Sequence, residues 1–141
     1  MSWKDFFKKL KKSPEEKERE KNKIIFEADI RRLIIICNES MVELDKKLHY
    51  VKDSNNKTRL KWLYSRIETA RYHLDEAYGF LHADNINSAK NELELAKTEI
   101  IKESINTHLD FSIKSMIIAK DFKSKISMLR SNIITLINNI K

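Results

Sequence analysis

One glycine, one proline and one cysteine are all that this 141-residue chain contains of the residue types that shape tight loops and covalent staples. Hairpin turns and phosphate-cradling loops need backbone at positive φ or a fixed kink, which glycine and proline supply. With only Gly79 and Pro14 available, glycine-rich nucleotide loops and all-β architectures are excluded and long helices are favoured. Cys37 has no second cysteine to pair with, so an internal disulfide is impossible and a reducing compartment is consistent.

Long apolar runs are missing as well. The greasiest stretch, Leu33 to Cys37, closely follows Glu27, Asp29, Arg31 and Arg32, far short of the roughly 20 apolar residues that span a bilayer. Residues 1–12 hold neither the apolar core nor the small-residue cleavage site of a secretory signal. The expected location is therefore the cytoplasm, and the Asn-x-Ser/Thr triplets at Asn38 and Asn56 read as chance matches.

What is present is charge and helical periodicity. Charged residues make up 35% of the chain and apolar ones 41%, with a net charge of +7. Such a chain is too charged to sit inside a membrane and too apolar to stay disordered. Ser13, Pro14 and Glu16 form a helix start: a serine N-cap, proline at the first helical position and a glutamate reaching back to the cap amide. From there Phe26, Ile30, Leu33, Cys37, Met41, Leu44, Leu48 and Val51 recur in steps of three and four, predicting a helix over about 14–52.

A turn is expected at 53–56, where Asp-Ser-Asn-Asn clusters residues that bond their own backbone. Leu60, Leu63, Ile67, Ala70, Leu74, Ala77 and Leu81 then occupy a and d positions of three heptads, a coiled-coil-like pattern. Ala83, Asp84 and Asn85 predict a second turn, and Ile86, Ala89, Leu93, Ala96 and Ile100 a returning helix. Thr107 and Asp110 suggest a weak capping box and a restart, leading to a last stripe through Ala119, Phe122, Ile126, Leu129, Ile133, Leu136 and Ile140. The fold expected is all-α: an antiparallel bundle of about four long helices, residues 13–141, preceded by a short amphipathic helix over residues 1–12.

Charge is segregated along the chain. Residues 1–12 carry five lysines and one aspartate, net +4, whereas 13–52 carry nine charges of each sign. On a helix, Trp3, Phe6, Phe7 and Leu10 fall on one face, with Lys4, Lys8, Lys11 and Lys12 on its flanks and back. Aromatic rings suit the headgroup boundary, and each lysine near an anionic leaflet contributes about 1 kcal/mol. This segment is the expected docking element, toward the anionic inner face of a membrane or a partner protein's groove. A second basic surface is expected at Lys114, Lys120, Lys123, Lys125 and Arg130, which also makes nucleic acid a candidate partner. In layout alone, a terminal amphipathic helix ahead of long charged antiparallel helices resembles membrane-remodelling proteins of the N-BAR and phage-shock kinds.

Trp62, Tyr64, Arg66, Arg71 and Tyr78 interleave aromatic and basic residues outside the heptad stripe, a pattern of interfaces and of single-strand stacking platforms. The bland alternative is a wide core face leaving only Trp62 exposed. Arg66 and His73 resemble the Arg-x4-6-His motif of HEPN ribonucleases, which implies activation of a 2′-hydroxyl by that pair; Ile67 stands where that family usually has a polar residue. No glutamate precedes His49, His73, His82 or His108 by three positions, so no di-iron pattern is present, and no cofactor, metal or small-molecule substrate is expected. His49 and His82 read as favourable helix C-terminal residues, and Cys37 as core. The apolar girth of Leu33 to Cys37 exceeds one stripe, which favours a homo-oligomer. The reading is a non-enzymatic, membrane-associated or scaffold protein, ahead of a nucleic-acid- or protein-binding adaptor and of a HEPN-like ribonuclease.

Overall fold

The computed structural model describes residues 2–3, 13–101 and 103–140. Five helices account for most of them, and no strand occurs among the described residues: α1 (Pro14–Tyr50), α2 (Ser54–His82), α3 (Ile86–Ile101), α4 (Glu103–Lys114) and α5 (Lys120–Asn139). The all-α class is as expected. The short helix expected over residues 1–12 lies outside the described residues apart from Ser2 and Trp3, and the first helix described is the 37-residue α1.

The start of α1 follows its sequence signal. Ser13 Oγ accepts from the Glu16 amide at 3.1 Å, and Pro14 takes the first helical position, where its missing N–H costs nothing. Asp53 does the same for α2, accepting from the amides of Asn55 and Asn56 at 2.8 and 3.1 Å. The reversal is therefore shorter than the expected 53–56 turn: Ser54, Asn55 and Asn56 form the first helical turn, capped by the aspartate before them.

Neighbouring helices run antiparallel. α2 packs between α1 and α3, α5 closes against both α1 and α3, and α4 rests on α2 and α5. Cross-links fix the directions: Arg71 donates to Asn38 near the middle of the α1–α2 seam, while Lys23 reaches Asp84 at its end. Arg66–Glu99 and His73–Glu92 cross from α2 to α3 in the same opposed sense, and Lys125–Glu43 ties α5 to α1.

One contiguous core runs from Ile30 to Ile140. All seven heptad positions of α2 are buried, from Leu60 to Leu81, with Ala70 and Ala77 giving its neighbours room to approach. Each fully buried leucine or isoleucine stabilises the fold by about 1.5–3 kcal/mol. Two polar residues are buried with them. Ser40 Oγ donates to the Ile36 carbonyl at 2.8 Å, whereas Ser112 Oγ has no hydrogen-bond partner.

The expected restart at Thr107 is not where the last helix begins. Thr107 lies inside α4, its Oγ1 turned back to the Glu103 carbonyl at 3.4 Å. The break falls at 115–119 instead. Met116 adopts φ 60°, the Ile117 amide donates to the Ser112 carbonyl at 2.9 Å, and the Met116 amide to Ile113 at 3.0 Å. This pair of bonds is a Schellman stop with methionine in the left-handed position that glycine usually fills. The corner after α2 uses the same device, with Asp84 at φ 62° and the Asn85 amide on the Phe80 carbonyl at 2.8 Å. Asn85 then caps α3 through the Ser88 amide at 3.2 Å.

Candidate docking surfaces

The sequence points to residues 1–12, and of these the structure describes Ser2 and Trp3 alone. Trp3 is 75% exposed. Lys4, Phe6, Phe7, Lys8, Leu10, Lys11 and Lys12 lie outside the described residues. Among the described residues, no side chain before Ile30 belongs to the buried core, and residues 13–21 are exposed. The buried core of the described residues begins at Ile30.

Beside the exposed start of α1 runs a groove of about 590 Å³, with Phe26, Leu81 and Ile140 along its floor and Glu16, Lys23 and Asp84 on its rim. Two of its charged groups, Lys23 and Asp84, are spent on structure. Lys23 Nζ donates to the His82 carbonyl at 2.8 Å and to Asp84 Oδ1 at 3.1 Å, capping the end of α2 with a cation where the helix dipole favours one. Glu27 approaches His82 Nδ1 at 3.3 Å. The groove brings no nucleophile and base together.

The aromatic-basic set on α2 is brought together and turned inward. Trp62 is half-buried and stacks on His108 of α4, ring centroids 4.3 Å apart. Arg66 lies over the Trp62 ring and bonds Glu99 Oε2 at 2.6 Å. Arg59 lies over Phe111, its guanidinium carbon 3.2 Å from the ring centre. Tyr64 is half-buried against the core, Arg71 is bonded to Asn38, and Tyr78 receives a hydrogen bond and a cation–π contact from Arg31. The exposed aromatic on this helix is Tyr72, at 58%, rather than Trp62. Sequence reasoning missed His108 as a stacking partner. Burial and then Arg59 hold its imidazole below the ordinary value of 6.5, so the neutral ring is favoured.

Arg66 and His73 each meet a different carboxylate. His73 Nδ1 sits 2.7 Å from Glu92 Oε2, one heptad from the Arg66–Glu99 pair. Two helical turns separate the pair, about 10 Å of rise, and each side chain is already engaged by a carboxylate across the α2–α3 seam. The basic residues of the C-terminal third are likewise dispersed. Lys123 pairs with Asp110 of α4, Lys125 with Glu43 of α1 at 3.7 Å, and Arg130 donates to Asn106 at 3.0 Å. Lys114 and Lys120 are exposed on either side of the 115–119 corner.

Cys37 is buried, and burial pushes its thiol up to about 12, Arg71 pulling down and Asp75 pushing up by lesser amounts. A thiol so placed stays protonated and unreactive. Among the described residues no group of three histidine, cysteine, aspartate or glutamate side chains gathers to hold a metal ion, and no helix is long and apolar enough to cross a membrane. No family model matches the chain, and neither a curated protein nor a solved structure matches it.

Proposed function

We propose that the protein is a non-enzymatic helical-bundle module that docks on an anionic membrane surface, at the cytoplasmic inner face, through an amphipathic helix formed by residues 1–12. The observation that carries this reading is the division of labour along the chain. Residues 1–12 hold Trp3, Phe6, Phe7 and Leu10 and a net charge of +4, Trp3 is 75% exposed, and the buried core of the described residues begins at Ile30. A segment of about three turns is marginal as an isolated helix and would fold as it binds. Its apolar face would enter the headgroup boundary and its lysines would meet lipid phosphates. A single such helix attaches reversibly, so presenting several copies together multiplies affinity.

The adaptor reading, with nucleic acid on the basic and aromatic surfaces, draws less support. Trp62, Arg66, Arg71, Lys123, Lys125 and Arg130 are engaged in contacts between helices. The HEPN-like reading is weakened in the same way by the carboxylates facing Arg66 and His73.

Co-sedimentation with vesicles tests the proposal. The full chain is expected to pellet with phosphatidylserine-containing vesicles and not with phosphatidylcholine alone, less so as salt is raised. Trp3→Glu combined with Phe6→Glu is expected to abolish pelleting without changing helicity. Equal binding to neutral vesicles, or undiminished binding by the double variant, overturns it.

A further inference from the structure

The core-facing stripe of α1 has a counterpart on the opposite side of the helix. Ile24, Ala28, Ile35 and Val42 fall within about 20° of one line at 100° per residue. Ile24, Ile35 and Val42 remain 67%, 53% and 54% exposed, and Ala28 is half-buried. α2 and α5 flank α1, reached through Asn38 and Glu43 on its two sides, so this line points away from both neighbours.

The charges beside the line are arranged with two-fold complementarity. Arg32 and Glu39 lie on the same flank of the stripe, at about 60° and 40° from Ile35 by the same helical count. When two copies of α1 meet antiparallel about a two-fold axis at Ile35, residues whose numbers sum to about 70 come level. Ile35 then meets the partner's Ile35, Ala28 meets the partner's Val42, and Arg32 on one copy faces Glu39 of the other, twice over. In an antiparallel pair the same flanks adjoin, so the register that packs the apolar residues also pairs the charges. Arg32 is free to do so: its side chain is 70% exposed and engages Asp29 of its own helix only at the surface.

We infer that the outer face of α1 is a homodimer interface, an isologous antiparallel contact centred on Ile35 and locked in register by reciprocal Arg32–Glu39 ion pairs. The mixed sign of the flanks favours a second copy over a lipid surface, which rewards basic flanks alone. The inference stands apart from the docking of residues 1–12. Where both hold, the antiparallel register places the two amino-terminal segments at opposite ends of the α1 pair.

Sedimentation equilibrium of the full chain, from micromolar to sub-millimolar concentration, tests this. The wild type is expected to dimerise, and Ile35→Lys to remain monomeric with unchanged far-ultraviolet circular dichroism, since Ile35 contributes nothing to the buried core. Arg32→Glu and Glu39→Arg are each expected to weaken the dimer about tenfold. Combined in one chain they reverse both pairs at once and are expected to restore it to within about threefold of the wild type. A monomeric wild type, a dimer that survives Ile35→Lys, or a double variant no tighter than the singles overturns the proposal.

Discussion

The two corners at 82–85 and 115–119 solve one problem by different means. In each, a helix ends on a residue in the left-handed region, Asp84 or Met116, with the same pair of backbone bonds closing the last turn. The first corner is clasped from outside by polar groups, Lys23 holding both the His82 carbonyl and the Asp84 carboxylate. At the second no such clasp is found among the described residues: Met116 is 91% exposed, and the chain is held by Ile117 and Ile118, which enter the core directly after it. A helix can thus be stopped by a side chain's affinity for the turn, or by apolar residues downstream that force the turn on whatever residue occupies it.

Truncating those downstream residues should separate the two corners most. Ile118→Ala is expected to cost about 2–4 kcal/mol in urea unfolding, the range for a large-to-small change in a core, whereas Lys23→Ala at the polar corner is expected to cost less than about 1 kcal/mol. Equal losses would mean the corners are held alike. A smaller effect follows from backbone strain. Met116→Gly removes a left-handed residue that costs roughly 1–2 kcal/mol and is expected to raise stability by about 1 kcal/mol. Asp84→Gly gains less relief, because aspartate tolerates left-handed backbone, and loses the Lys23 contact, so it is expected to leave the unfolding midpoint unchanged or slightly lower.

The smallest effect is on pH dependence, through His108 in the middle of α4. Because the folded protein holds His108 below its ordinary 6.5, the unfolded chain binds the proton more readily. Stability is therefore complete above about pH 6.5 and declines as pH falls through the unfolded value toward the folded one. His108 is half-buried at the edge of the bundle, and one such group makes the decline modest. His108→Gln is expected to flatten the slope of the unfolding midpoint between about pH 8 and pH 5, and an unaltered slope would remove His108 from the account.

These corners also show where the sequence was legible. Asp84-Asn85 announced the first, because both residues tolerate left-handed backbone and cap helices with their side chains. Ser-Asn-Asn after Asp53 misled by composition: residues that favour turns also favour the first turn of a helix behind a good cap. At the second corner nothing local signals a stop. Met116 is an ordinary helix former, and the turn is set by the burial of Ile117 and Ile118 against distant helices, while Thr107, the better local signal, is overridden. The stripes of α1, α2, α3 and α5 were readable because a helix that buries one face must repeat at 3.6 residues, except at the ends of two of them, where Ile86 and Ala119 are exposed. The exposure of Trp62 was not, since the ring that covers it, His108, comes from α4.

Docking of residues 1–12 is read out by the fluorescence of Trp3 in a Trp62→Phe variant, which leaves one tryptophan to observe. On adding phosphatidylserine-containing vesicles, the proposed docking of residues 1–12 predicts a blue-shifted emission and protection from acrylamide, with no change on phosphatidylcholine alone. An emission maximum and a quenching constant that stay the same with and without anionic vesicles would contradict it.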